Sequence, residues 1–184
     1  MTIQWRRLCL PRCGLAAVLL VTLIFASSCG SQTAPLTAEG LKNAEYQGIY
    51  PQPIELSDGQ YEGEPFVEGA ASRPTVTFME PYALGDLDGD GVEDAAVLLV
   101  ESSGGSGSFV YLAAVLNRDG TPQNTATTLL GDRTQVEELT IESGQIDVKA
   151  LTHGPDDPMC CPSQESEETY VLEDGQLQQE GASP

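Results

Sequence analysis

Four aspartates lie within nine residues near the middle of the chain, in the segment GDLDGDGVEDAAVLLV. Asp86, Asp88 and Asp90 alternate, a glycine follows, and Asp94 lies three residues further on. Calcium binds about six to eight oxygen atoms at roughly 2.3–2.6 Å, and a loop with acids at alternate positions can fold them around one ion. The spacing therefore predicts a calcium site formed by these four carboxylates and the carbonyl oxygen of Val92.

Repulsion within this loop is the reason to expect a cation. Two carboxylates about 4 Å apart repel by about 1 kcal/mol in water and by about 4 kcal/mol at an effective dielectric constant of about 20. The sequence has no Lys or Arg between Arg73 and Arg118 to offset that repulsion. The alternative is a solvated acidic turn that uses Asp and Gly only for their backbone conformations.

The sequence also favours calcium over magnesium and excludes one type of calcium loop. Magnesium is disfavoured because it seldom uses an all-protein oxygen cage. An EF-hand is excluded because the twelfth loop position, which requires glutamate, is Val97 in an apolar run. We expect the ion to have a structural role, in which it rigidifies a β-hairpin.

A second candidate site is the segment HGPDDPMCCPSQ, which contains His153, Met159, Cys160 and Cys161. One interpretation is a vicinal disulfide between the adjacent cysteines, which an oxidising compartment would permit. Another is a soft-metal site, since thiolate, thioether and imidazole ligands suit monovalent copper. The third is thiol redox chemistry, although the Cys-x-x-Cys pattern of thioredoxin-like proteins is absent from the sequence.

The N-terminal residues predict export and lipid attachment. Residues 1–28 combine a basic start, an apolar stretch of about 12 residues and small residues before Cys29, which is the order of a cleaved secretory signal peptide. The apolar stretch is shorter than the ~20 residues that a membrane-spanning helix needs. ASSC resembles the lipobox of bacterial lipoproteins, which implies that Cys29 is acylated, for example with palmitate, and becomes the mature N-terminus. Cleavage near Ser28 to give a soluble secreted protein is the alternative.

These features predict a location and a class of partner. The protein is expected in the bacterial cell envelope, held on the membrane by its lipid, with the folded domain facing the periplasm or the exterior. Loss of residues 1–28 removes three of the eight basic residues and none of the 28 acidic ones, which leaves a net charge of 5 − 28 = −23. Nucleic acid is therefore excluded as a partner. The identity of any protein or envelope partner is open.

The elements that would position these residues are mostly strands. We expect residues 29–45 to form a flexible tether and a short helix that begins at Thr37 and extends to Tyr46. Residues 46–180 are expected to form one mostly β domain, an antiparallel meander or sandwich, followed by a disordered tail at 181–184.

Turn signals separate the predicted strands. Asp-Gly or Ser-Gly pairs, which favour hairpin turns, occur at four places, namely 58–59, 119–120, 143–144 and 174–175. Ala95 to Val100 and Phe109 to Leu116 are apolar on both faces, so they are expected to pair at the centre of a sheet.

Two further resemblances concern longer stretches. GDLDGDGVEDAAV is similar to the calcium loops of integrin-type FG-GAP repeats, in which the loop joins two strands; the chain has one copy, which excludes a whole propeller. DPMCCPSQ followed by TYVLEDGQL, together with LKNAEY and SDGQYEG, resembles mycobacterial envelope lipoproteins of the LppP/LprE type. That resemblance implies lipid anchoring and no particular activity.

Catalysis is not predicted. Only His153 could act as the base of a hydrolytic triad, and the sequence has no Gly-x-Ser-x-Gly elbow before a helix. We therefore expect a calcium-stabilised, non-enzymatic envelope lipoprotein with a binding or scaffolding role. The alternatives are a protein that handles copper or carries out thiol redox chemistry through His153, Cys160 and Cys161, and, more distantly, a small hydrolase.

Overall fold

The structure is a computed structural model that describes residues 33–69 and 71–180. The predicted signal peptide, Cys29 and the predicted tail at 181–184 lie outside these residues. No helix in the described part of the chain has the length and apolar character needed to cross a membrane. The described helix and strands are α1 (Ala38–Leu41), β1 (Glu45–Tyr46), β2 (Ile54–Glu55), β3 (Gln60–Glu62), β4 (Thr75–Gly85), β5 (Asp94–Ser102), β6 (Phe109–Arg118), β7 (Thr121–Asp132), β8 (Gln135–Glu142), β9 (Gln145–Thr152), β10 (Gln164–Glu173) and β11 (Gln176–Gln179).

The strands form antiparallel sheets, which confirms the prediction of a mostly β domain. The larger sheet has the order β3-β4-β5-β6-β7, and a four-stranded sheet has the order β11-β10-β9-β8. Strands β1 and β2 form a separate pair. Every pair of neighbouring strands in the two larger sheets is also consecutive in sequence, so each sheet is a meander.

The central strands β5 and β6 are buried on both faces, as their unbroken apolar runs predict. One face packs against the four-stranded sheet, where Leu98 and Leu112 meet Ile146 in the same core. The opposite face carries Val97 and Leu99, which belong to a second core. Neither strand alternates between apolar and polar residues because neither of its faces contacts solvent.

The second core corrects the predicted tether and helix. The helix is limited to Ala38–Leu41, and its N-cap Thr37 accepts a hydrogen bond from the Gly40 N–H at 3.1 Å. Leu36 and Leu41 are buried against the larger sheet, so residues 33–45 belong to the folded domain. The physical reason is that the outer face of β5 and β6 needs an apolar cover, which this segment supplies.

The hairpin turns agree with the turn signals. In all four predicted turns both central residues have positive φ, from +50° to +56° at the first residue and from +74° to +86° at glycine. This is the conformation of the type I′ turn, whose twist matches that of the flanking strands. Strand β7, by contrast, was not predicted, because its apolar residues do not alternate; it is rich in threonine, whose branched side chain suits a strand.

One glycine marks a close approach of the two larger sheets. Gly85, the last residue of β4, lies against β8, and a Cβ atom placed on it would be 2.6 Å from Cγ2 and 2.7 Å from Cβ of Ile141. Real Cβ atoms do not approach other heavy atoms so closely, so the contact between the sheets requires glycine at this position.

Candidate metal centre

The aspartate loop, defined as residues 86–93, connects β4 to β5 and turns tightly. Gly85 and Asp94, which flank the loop, are paired across the two antiparallel strands. Gly89 and Gly91 have φ of +78° and +82°. Glycine takes this left-handed conformation without a steric penalty, which explains the two glycines among the acids.

The backbone amides of the loop orient its carboxylates. Asp86 accepts hydrogen bonds from the N–H groups of Gly89 at 2.7 Å and Gly91 at 2.9 Å. Asp88 accepts one from the Asp90 N–H at 3.2 Å, and Asp90 accepts one from the Val92 N–H at 2.8 Å. These local bonds are typical of aspartate in turns, and they fix the carboxylates relative to one another.

Three of the predicted ligands converge. Asp86, Asp88 and Asp94 each offer an oxygen atom, and the three oxygens lie within 4.8 Å of one another. Two oxygens on opposite sides of one calcium ion at about 2.4 Å would be about 4.8 Å apart, so a single ion fits this spacing. In residues 33–69 and 71–180, no other three side chains of His, Cys, Asp or Glu converge in this way.

Asp94 is the buried member of this group. It is 0 % exposed, and its carboxylate accepts hydrogen bonds from the N–H groups of Leu87 at 2.9 Å and Asn117 at 2.8 Å. Burial raises the pKa of Asp94 above its ordinary value, the two hydrogen bonds lower the pKa, and the charges of Asp88 and Asp90 raise it. Among the described residues no Lys or Arg forms an ion pair with Asp94, so the charged form lacks a cation from the protein.

Arg118 corrects the expectation that no basic side chain offsets the loop. Its guanidinium lies 3.1 Å from Asp88 Oδ2 and 3.6 Å from Asp90 Oδ2. Asp90 stays outside the convergent group, and the contact found for Val92 is its N–H bond to Asp90. Arg118 therefore offsets part of the charge of Asp88 and Asp90, while Asp86 and Asp94 have only backbone N–H partners among the described residues.

Asn117 is a supporting residue that the spacing of the aspartates did not predict. Besides its N–H bond to Asp94, its side-chain amide donates to the carbonyl oxygens of Ala34 at 2.9 Å and Glu93 at 3.2 Å. These bonds join the aspartate loop to the turn between β6 and β7 and to the first described residues. The predicted pairing of the two central strands could have identified Asn117, because the Ala95–Val115 register brings the end of β6 beside the loop.

Residues 153–163 of the segment HGPDDPMCCPSQ form the loop between β9 and β10. Cys160 and Cys161 are joined by a disulfide. Asp157 closes the base of the loop, since its carboxylate accepts hydrogen bonds from the Gly154 N–H at 2.9 Å and from the N–H and hydroxyl of Ser163 at 2.8 and 2.7 Å. The Ser163 hydroxyl and the Gly154 N–H hold the pKa of Asp157 below its ordinary value.

The predicted soft-metal ligands in this loop do not form a common site. The two sulfur atoms are bonded to each other and offer no thiolate. Met159 is exposed, while Nε2 of His153 is buried and has no hydrogen-bond partner among the described residues. No observation here favours the copper or thiol redox alternatives over the disulfide.

The fold and the loop define the class of protein as an antiparallel β-sandwich with an acidic loop between two strands of its larger sheet. Comparison of the chain with models of protein families, with curated proteins and with solved structures finds no match.

Proposed function

We propose that the protein is a lipid-anchored envelope protein whose aspartate loop holds a structural calcium ion, and that its role is binding or scaffolding rather than catalysis. The observation that carries the proposal is the convergence of Asp86, Asp88 and Asp94 within 4.8 Å, together with the full burial of Asp94. A buried carboxylate without a cationic partner is costly, and a divalent cation offsets that cost.

The position of the loop supports a structural role for the ion. Asp94 begins a central strand and bonds to both the loop and the next hairpin through Leu87 and Asn117. An ion bound to Asp94 and to Asp86 would therefore fix the connection between two central strands. Among the described residues, the convergent group of Asp86, Asp88 and Asp94 includes no histidine or cysteine. This composition fits calcium, which prefers oxygen ligands.

Isothermal titration of the purified protein with calcium tests this site. We expect saturable heat with one ion bound per chain, and a much weaker response to magnesium. Asp86→Asn should reduce the affinity for calcium strongly, because it removes a negatively charged ligand. Asp174→Asn is the matched control: Asp174 is also a turn aspartate with positive φ, but it lies outside the convergent group, so its replacement should leave the affinity unchanged. Absence of heat at millimolar calcium would contradict the proposal.

The membrane anchor is supported by the lipobox resemblance of ASSC and by the basic and apolar residues that precede it. Ala34, five residues after Cys29, is held by Asn117 at the end of the domain where the aspartate loop lies. We expect Cys29→Ser to abolish incorporation of labelled palmitate and to move the protein from the membrane fraction to the soluble fraction of a bacterial host. Cys160→Ser should leave both properties unchanged. Equal labelling of the Cys29→Ser variant would refute the anchor.

A further inference from the structure

A groove beside Pro74, the residue before β4, is lined by aromatic rings and prolines. It has a volume of about 280 Å³ and lies between the segment after β1, strand β3 and the residues that follow β3. We call it the aromatic groove. The residues that define it are Tyr50, Pro53, Tyr61, Glu64, Phe66 and Pro74.

Its most exposed ring is that of Phe66, which is 68 % exposed. The rings of Tyr50 and Tyr61 lie beside each other, with centroids 6.2 Å apart and planes inclined by 47°. Aromatic rings carry negative charge on their faces, so rings in different planes around one groove can attract a cation that enters it.

A hydrogen bond to a buried carboxylate fixes the position of Tyr50. Its hydroxyl donates a hydrogen bond to Glu101 Oε1 at 2.9 Å, and Glu101, which is 4 % exposed, also accepts a hydrogen bond from the Ser103 hydroxyl. Burial and then the contact with Glu101 raise the pKa of Tyr50. A phenol that donates to a carboxylate keeps its proton and has an electron-rich ring, which strengthens its attraction for a cation.

Gly63 allows Tyr61 and Pro74 to pack closely against the backbone at one wall of the groove. A Cβ atom at this position would lie 2.9 Å from Tyr61 Oη and 3.0 Å from Pro74 Cγ. The Gly63 N–H also donates a hydrogen bond to the Pro74 carbonyl oxygen at 2.8 Å. Tyr61 and Pro74 therefore pack on the bare backbone, so the groove is a product of close packing.

The charges near the groove favour a positively charged occupant. Glu64 lines the groove, the buried Glu101 accepts the hydrogen bond of Tyr50, and the chain as a whole has a net charge of −20. Arg73 lies 3.5 Å from both Glu62 and Glu64. Among the described residues no Lys or Arg lines the groove, and the acidic surroundings favour a positively charged partner.

We propose that the aromatic groove binds an arginine or lysine side chain of a partner protein. The guanidinium or ammonium group contacts the rings of Tyr50, Tyr61 and Phe66, and the acidic surroundings attract the basic segment that carries it. This inference rests on the binding role proposed above and names the chemistry of the partner. It does not depend on the calcium site, because none of the residues that define the groove belongs to the aspartate loop.

The test is an NMR titration of the protein with a blocked pentapeptide that has one arginine between glycines. We expect saturable shifts of the Tyr50, Tyr61 and Phe66 signals, and loss of these shifts when neutral citrulline replaces arginine. Phe66→Ala should weaken binding by roughly three- to thirtyfold, the effect of losing one cation–π contact. Val67→Ala is the matched control, since Val67 is 69 % exposed but does not line the groove, and it should bind as the wild type does.

Three results would overturn the proposal. Equal binding of the citrulline peptide would identify an apolar occupant instead. Equal loss of affinity in the Phe66→Ala and Val67→Ala variants would show diffuse attraction to the acidic surface, and absence of shifts at millimolar peptide would exclude the site. Titrations in calcium and in EDTA should agree, so failure of the groove and failure of the calcium site can be told apart.

Discussion

Asp94→Ala is expected to lower the free energy of unfolding by about 2–5 kcal/mol when calcium is removed with EDTA. The reason is that the carboxylate satisfies two backbone N–H groups, those of Leu87 and Asn117, and both residues are almost fully buried. A buried donor left without a partner costs about 1–3 kcal/mol. Removal of the buried charge offsets part of this loss. The expected value therefore stays below the sum of the upper estimates for the two donors. Urea unfolding followed by circular dichroism measures it.

Two variants serve as comparisons for Asp94→Ala. Asp94→Asn keeps one acceptor oxygen and should lose about half as much, roughly 1–3 kcal/mol. Asp90→Ala removes an exposed carboxylate that has one backbone partner and a 3.6 Å contact to Arg118. We therefore expect the free energy of unfolding to change by less than about 1 kcal/mol. If Asp94→Ala were as mild as Asp90→Ala, Asp94 would not be the buried anchor described here.

Gly85→Val is expected to destabilise the protein by about 2–3 kcal/mol or more. Its side chain would enter the space of Ile141, whose Cβ lies 2.7 Å from the position that a Cβ on Gly85 would take. Ile141 cannot withdraw, because branching at Cβ restricts its χ1 angle and its own carbonyl oxygen lies 3.2 Å from the same point. Overpacking of a close contact typically costs about 1–3 kcal/mol, and this contact involves backbone atoms of both sheets.

The control for this substitution is Gly105→Val. Gly105 has no heavy atom within 4 Å of the position of a Cβ and does not have positive φ, so its replacement should change the free energy of unfolding by less than about 0.5 kcal/mol. The double variant Gly85→Val with Ile141→Ala should recover part of the loss, as expected for two residues in contact. Equal stabilities of Gly85→Val and Gly105→Val would mean that the sheets can separate at β4 and β8 without penalty.

Local signals predicted most of the fold. Type I′ turns depend on the two residues at their centre, so Asp58-Gly59 and Ser143-Gly144 could be recognised without knowledge of the rest of the chain. The long apolar runs of β5 and β6 indicated a sheet buried on both faces. What covers the outer face was not predictable, because Leu36 and Leu41 reach it only through contacts distant in sequence.

The candidate site shows the same division between local and distant information. The spacing of the aspartates predicted a common centre, and Asp86, Asp88 and Asp94 converge. The contact of Arg118 with the loop was missed because charges were compared along the sequence, whereas the turn after β6 brings Arg118 to 3.1 Å from Asp88. Burial of Asp94 likewise results from packing of the next hairpin, which no count of acidic residues reveals.

Thermal unfolding in calcium and in EDTA is the most direct test of a stabilising ion in the aspartate loop. We expect calcium at 100 times its dissociation constant to stabilise the protein by about 2.7 kcal/mol and to raise the unfolding midpoint by several degrees. Asp174→Asn should show the same rise, and Asp86→Asn should show little or none. An identical midpoint of the wild-type protein in millimolar calcium and in EDTA would contradict the calcium site.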